Sequence, residues 1–304
     1  MLKNYSAWDL KISDYWRQQT LHDKLVFLLR FAILAPSTHN TQPWQFVIRD
    51  NQIIVLPHKA HSLPQGDKEN RLMHISLGTV VENVQIAGDY YNWDTHVSYF
   101  SNNSDGVTIT FQEGQKQSQE NSPTHHLIFS IQKRRTNRSN YGLYLLPSTF
   151  LDQLSSLQYE NLTFHLLSDT EKKIQLADAT IGALKETMEN ALFRKELAGY
   201  MRPNDTDAGR GMPGFVMGFP HLLSVLAPKI MPFINIGKKK AKDDEVLLKK
   251  HTPYFGIITS KTNETNDWVK AGQLYQRIAL MAENEDSATH IMTAATEIDS
   301  YRTK

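Results

Sequence analysis

The chain of 304 residues is 40% hydrophobic and 21% charged, enough apolar material for a sizeable core and far from a disordered composition. Its 33 basic and 32 acidic residues leave a formal charge of +1, so no global field steers it toward nucleic acid or anionic lipid. Cysteine is absent, which removes disulfides, thiolate nucleophiles, iron–sulfur ligation and cysteine-bound zinc, so redox chemistry requires a bound cofactor.

Residues 1–30 interleave charges with apolar side chains and lack a signal-peptide run, so the expected location is cytoplasmic. Residues 22–34 put Leu25, Phe27, Leu28, Leu29, Ala32 and Ile33 on a broad helical face that stops ahead of Pro36. Residues 44–47 and 52–56 predict a hairpin, and 72–87 a buried central helix that tolerates Gly78. Strands are expected at 97–100 and 107–111. The polar connector 112–124 then suggests a boundary between a first half, 1–124, and a second, 125–304. The second half opens with the apolar run 127–131 and the basic turn 133–138. A helix at 148–157, a strand at 162–167, one long helix at 170–197, a strand at 254–259 and a helix at 267–282 follow. Helices and strands mixed in both halves favour a layered α+β or α/β fold.

Two stretches carry chemistry. In Ala35-Pro36-Ser37-Thr38-His39-Asn40-Thr41-Gln42-Pro43-Trp44, two prolines fix the backbone, and Ser37, Thr38, Asn40 and Gln42 offer short donors and acceptors. Such a loop suits the edge of a heteroaromatic ring, and an ordinary capped loop has the same composition. Lys133-Arg134-Arg135-Thr136-Asn137-Arg138-Ser139 sets fork-shaped donors beside hydroxyls, which suits a phosphate and equally a solvated basic turn. His125-His126 and the His58/His61 pair lack an accompanying carboxylate pattern, so no metal is expected. Neither a Walker loop nor a G-x-G-x-x-G fingerprint is present.

The first stretch resembles the A-P-S-x-x-N-x-Q-P-W segment of the FMN-dependent nitroreductase family, where Pro-Ser-x-x-Asn lies along the flavin ring and comes from the other subunit of a dimer. The second resembles that family's R-x-[ST]-x-[RK] motif, which holds FMN phosphate and ribityl groups. Here it matches at Arg134, Thr136 and Arg138, with Arg135 at the variable site. In ordinary members the Arg motif precedes the loop; here the loop comes first, by roughly a hundred residues. That order resembles the tandem, single-chain branch of the family, a fused dimer. The likeness extends to Arg71-Leu72-Met73, to Gly78-Thr79-Val80-Val81-Glu82-Asn83 and to Trp268-Val269-Lys270-Ala271-Gly272.

The resemblance implies an α+β, nitroreductase-like three-layer α/β/α sandwich with two pseudo-equivalent halves and one FMN per chain. The implied cofactor contacts are Pro36, Ser37, Thr38, Asn40, Gln42, Arg134, Thr136 and Arg138. NADH or NADPH would be the electron donor and a flat electrophile such as a nitroaromatic or quinone the acceptor, with the chemistry on the flavin and no protein acid, base or metal. An FMN-sequestering protein with little turnover needs the same contacts. Ala294-Ala295-Thr296-Glu297 resembles the family's Pro-x-Glu turn near the ring, with Arg302 and Lys304 following where the family has a basic phosphate-binding segment. His39 occupies a variable loop position, as a proton donor or a spectator. Residues 209–240 read as a lid: soft and hinge-rich from Gly211 to Pro220, then apolar, then basic at Lys238-Lys239-Lys240. A partner interface or contact with a membrane surface is the other reading of its apolar part, which Pro228 and Pro232 leave too broken to span a bilayer.

Overall fold

The computed structural model describes residues 3–101, 105–114, 124–142 and 144–302. Its principal elements are α1 (Leu21–Ala32), β1 (Trp44–Arg49), β2 (Gln52–Pro57), α2 (Arg71–Tyr90), β3 (Trp93–Ser98), β4 (Val107–Glu113), α3 (Leu127–Lys133), α4 (Ser148–Ser156), β5 (Leu162–Leu167), α5 (Thr170–Glu189), α6 (Ala191–Tyr200), β6 (Met201–Arg202), β7 (Met212–Pro213), α7 (His221–Ile230), α8 (Gly237–Lys250), β8 (Phe255–Ser260), α9 (Thr265–Asn284), α10 (Ala294–Glu297) and α11 (Asp299–Arg302). The fold class is α+β, with helices set against an antiparallel four-stranded sheet and two small two-stranded ones. Two compact units share the chain discontinuously. The first comprises Met1–Ser62, Asn70–Arg135 and Ser260–Thr289, the second Leu63–Glu69, Thr136–Thr259 and His290–Lys304.

In the first unit, α1 starts where the Thr20 hydroxyl accepts the Asp23 amide N–H. The hairpin β1–β2 closes through Arg49↔Gln52, with Asp50 in the left-handed region at φ 51°. Strand order is β1-β2-β4-β3, every neighbour antiparallel. The inner strands alternate, burying Ile53, Val55, Val107, Ile109 and Phe111 in the core that also holds the apolar face of α2. β3 runs from Trp93 to Ser98 rather than over 97–100. Asn92, at φ 64°, turns the chain out of α2, and pairing begins at once with Trp93↔Glu113. Tyr99 and Phe100 face α9 instead: the Tyr99 hydroxyl donates to Gln273 Oε1 at 2.8 Å, and the Phe100 carbonyl accepts from Asn266 Nδ2 at 3.2 Å.

The pairing of α2 with α9 organises this unit. A Cβ on Gly78 would fall 1.9 Å from the Val269 carbonyl oxygen, and one on Gly272 1.9 Å from that of Ile75, so the backbones touch where both helices carry glycine. Polar pairs continue the seam: Arg277 to Glu82 at 2.5 Å, Gln276 to Asn83 at 2.7 Å and Gln273 to Gln85 at 2.7 Å. Because α3 packs on both helices, residues beyond 124 build the same core as α1 and α2. The compact units therefore do not follow the expected 1–124 and 125–304 division. Of the connector, residues 115–123 lie outside the described residues.

In the second unit the helix expected over 170–197 is two helices. The Asn190 side chain accepts the Leu192 and Phe193 amides, ending α5 and capping α6. One core joins Met188, Met201, Met212 and Met231 to Phe193, Leu197, Ala198 and Ala227; another sets Ala177 and Ile181 of α5 against Ala241 and Leu248 of α8. Glu196 of α6 accepts the Gln65 and Gly66 amides, each at 2.9 Å, which seats residues 63–69 in this unit. Among the described residues no helix is long and apolar enough to cross a membrane.

The helix seam gives a direct test. Gly272→Ala should cost about 3 kcal/mol or more, read as a lowered midpoint in urea unfolding, since the added methyl meets backbone rather than a flexible side chain. Gly199→Ala in α6, with nothing within 4 Å of the new Cβ, should change stability by under about 1 kcal/mol.

Candidate functional site

The loop after α1 is braced on every side within the first unit. The Pro36 carbonyl accepts from the Thr79 hydroxyl of α2 at 3.0 Å, and Ser37 Oγ accepts the Gln42 amide at 3.0 Å. Asn40 N–H returns to the Ser37 carbonyl and Thr41 N–H to that of Thr38, each at 3.0 Å, while Gln42 Nε2 reaches Asn40 Oδ1 at 3.3 Å. His61 Nδ1 lies 3.1 Å from the Gln42 carbonyl and 2.9 Å from His58 Nδ1. The two histidines thus serve the loop, and among the described residues no group of three or more His, Asp or Glu is arranged to hold a metal.

Three non-glycine residues of this loop sit at positive φ: His39 (52°), Asn40 (53°) and Gln42 (49°). Each sparsely populated conformation costs on the order of 1 kcal/mol or more, least for Asn, and persists only where the surroundings over-determine it. Pro36, Ser37, Thr38, His39, Asn40 and Gln42 remain partly accessible, whereas Thr41 is buried and anchors the loop.

The two adjacent arginines of the basic turn have opposite fates. Arg135 stacks its guanidinium 4.5 Å from the Trp8 ring centroid and donates from Nη1 to the Gln132 and Arg134 carbonyls. Arg134 is 7% exposed, and its Nη2 makes one long hydrogen bond among the described residues, to the Leu34 carbonyl at 3.4 Å, two residues before Pro36. Its Nε and Nη1 are buried with no hydrogen-bond partner among the described residues. Burial pushes the Arg134 pKa down, Tyr275 and Glu283 of α9 pull it up, and Arg135 opposes them. A guanidinium does not give up its proton, so this is a buried cation with unused donors.

Tyr275 is the residue that sequence reasoning passed over. It reads as one more apolar position on α9, yet its hydroxyl is buried without a partner among the described residues, in the field of Arg134. A tyrosine on a buried helical face carries a polar tip that must be satisfied, which was the available signal.

The chain has distant relatives among proteins named as nitroreductases. Two curated proteins of Mycobacterium tuberculosis, provisionally named NAD(P)H nitroreductase MT3217 (strain CDC 1551 / Oshkosh) and Rv3131 (strain ATCC 25618 / H37Rv), are each 25% identical to it over 120 residues. That stretch is 40% of this chain and 35% of each relative, so the similarity spans about a third of their length. No protein-family profile matches the chain.

The remaining predicted site residues belong to the second unit. Thr136 is partly buried and Arg138 exposed. The charge of Arg138 adds to burial, the larger effect, in holding His290 down at about 4, with Lys240 contributing. His290 Nδ1 is buried without a partner among the described residues, and Lys240 donates to the buried carboxylate of Asp244. Glu297 lies in α10, partly exposed, and Arg302 bonds Asp299 at 2.6 Å and Glu69 at 3.5 Å; Lys304 lies outside the described residues. Residues 209–240 are tied into their own unit. Met212–Pro213 pairs with Met201–Arg202, Asn204 Oδ1 accepts the Phe215 amide at 2.6 Å, and Asn204 Nδ2 donates to the Phe219 carbonyl at 3.0 Å.

Two measurements follow from these environments. Arg134→Met should leave the protein at least as stable as the parent in urea, because a buried charge with unused donors is removed. His290 should titrate by NMR near pH 4, and Arg138→Ala should raise its midpoint. With the folded value below the ordinary one near ~6.5, its contribution to stability is present above that pH and is lost as pH falls through about 4.

Proposed function

We propose that the chain is an FMN-dependent NAD(P)H oxidoreductase of nitroreductase type, in which two family halves are fused in one polypeptide. The observation that carries this reading is Arg134, a buried guanidinium with two unused donors next to the strained loop. A permanent cation buried at such cost calls for an anion, and the matching motif position assigns that anion as the FMN phosphate. The names of the two mycobacterial relatives support NAD(P)H as the donor.

Bound FMN supplies hydride uptake from NADH or NADPH and electron delivery to a flat electrophile such as a nitroaromatic or quinone. The chain's own residues bind and orient. Arg134 and Arg138 neutralise phosphate charge and Thr136 donates a further hydrogen bond. Ser37, Thr38 and Asn40 would hold the polar edge of the ring, on a backbone whose residues 39, 40 and 42 are already left-handed without it. Pro36 and Gln42 hold that backbone, one accepting from Thr79 and the other bonding Ser37 and Asn40. In the fused-dimer reading the three-layer halves exchange segments, which accounts for α3 and α9 packing in the unit that also contains α1 and α2.

The purified protein should be yellow, with acid-releasable FMN near one per chain. Arg138→Ala should weaken FMN by roughly ten- to a hundredfold and leave riboflavin, which lacks the phosphate, nearly unchanged. Asn40→Ala should weaken both alike. Fluorescence titration of both flavins against both variants checks this; equal loss of riboflavin and FMN in Arg138→Ala would remove the phosphate assignment. Steady-state NAD(P)H oxidation by the yellow protein separates a reductase from a protein that only stores flavin.

A further inference from the structure

We propose that the outward face of α7, the turn after it and the basic start of α8 form a docking surface for an anionic lipid bilayer, independently of any flavin site. Beyond His221 at its start, the exposed positions of α7 are Leu222, Val225, Leu226, Lys229 and Ile230, spaced as one helical stripe, and Phe233 and Ile234 continue it. Leu222 is 73% exposed and Phe233 85%. The opposite face is already occupied: Ala227 and Met231 sit in the methionine core, and the Ser224 hydroxyl bonds Asn204 N–H and the His221 carbonyl. The apolar stripe therefore has no interior role within its unit. A contiguous exposed patch of this kind marks an interaction site.

Charge selects the occupant. From Ala208 to Lys242 the chain contains no Asp or Glu, while Arg210, Lys229, Lys238, Lys239, Lys240 and Lys242 fall within the same span. Lys240 is committed to Asp244, and Lys239 meets Asp243 at 3.6 Å in an open pair of small worth. Lys229, Lys238 and Lys242 have no ion pair among the described residues. Lys229 lies inside the stripe, where a lysine stem covers apolar surface and its ammonium reaches headgroup phosphate. Apolar side chains that enter the headgroup boundary beside unpaired lysines are the two signals that together hold a peripheral protein on acidic lipid. A second copy of the chain fits less well: a twofold contact would set this patch against itself and bring its lysines together.

The test is co-sedimentation with vesicles of equal parts phosphatidylcholine and phosphatidylglycerol, against vesicles of phosphatidylcholine alone. The parent chain should sediment with the mixed vesicles at low salt, be released by high salt, and ignore the neutral ones. Phe233→Ser and, separately, Lys238→Glu with Lys242→Glu should each lower partition by roughly tenfold or more. All three side chains are exposed, so unchanged far-UV dichroism is expected of both variants. The proposal fails if the parent ignores mixed vesicles at low salt, if both variants bind as the parent does, or if sedimentation equilibrium shows a dimer that Phe233→Ser dissociates without any vesicle binding.

Discussion

Two helices nearly two hundred residues apart in the chain touch at their backbones, and the first unit is arranged around that contact. Gly78 of α2 and Gly272 of α9 leave no room for a methyl group. Their absence of side chains brings Glu82, Asn83 and Gln85 within bonding distance of Arg277, Gln276 and Gln273. The buried carboxylate of Glu82 is matched by the Arg277 guanidinium, and Asn83 also holds the Phe31 carbonyl of α1 at 2.9 Å. A seam of this type fixes register, since sliding one helix by a turn would strand several buried polar groups at once. Thr79, on the same helix, braces the Pro36 carbonyl, so the root of the strained loop is tied to the helix that makes the seam.

Strain and buried charge in the first unit have a common logic. The loop holds three side-chain-bearing residues at positive φ, and Arg134 beside its root holds a cation away from water. Both cost folding free energy, the loop's share offset by its own hydrogen bonds and the brace from Thr79. Arg135 supplies the internal comparison. With the same side chain one position along, it finds an aromatic face and two carbonyls, because its neighbourhood is built for an ordinary structural arginine.

Legibility in the sequence followed the range of the interactions. The hairpin of β1 and β2, the strand at 162–167 and helices α1, α2, α4 and α9 are readable because periodicity, caps and turn residues act locally. β3 shifted because its start depends on Asn92 taking a left-handed turn and its end on Tyr99 and Phe100 finding partners on α9, neither visible in a short window. One long helix became two because Asn190 caps where composition alone shows a continuous helical stretch. Gly78 reads as tolerated within a helix and is instead required there, which only Gly272 explains. The interleaving of units is the least legible feature, since nothing near residue 124 reports that α9 returns to pack on α2. In the candidate site, Arg134 and the loop were readable as motifs, while the lack of partners for Arg134 Nε and Nη1 and the Tyr275 hydroxyl among the described residues depends on tertiary packing.

A balanced total charge concealed the most asymmetric part of the surface. The formal charge of +1 averages over a span from Ala208 to Lys242 that holds cations alone and acidic residues that resume at once with Asp243, Asp244 and Glu245. Within the same span α7 presents two faces, the small Ser224 and Ala227 where it meets the methionine-rich core and large aliphatic side chains where it meets solvent. An internal helix explains only the first of these faces. A soluble surface explains neither Leu222, Leu226 and Ile230 in line nor the lysines that flank them, because scattered exposed apolar residues are ordinary and a continuous stripe is not. The arrangement calls for a medium that is apolar within and negative at its face.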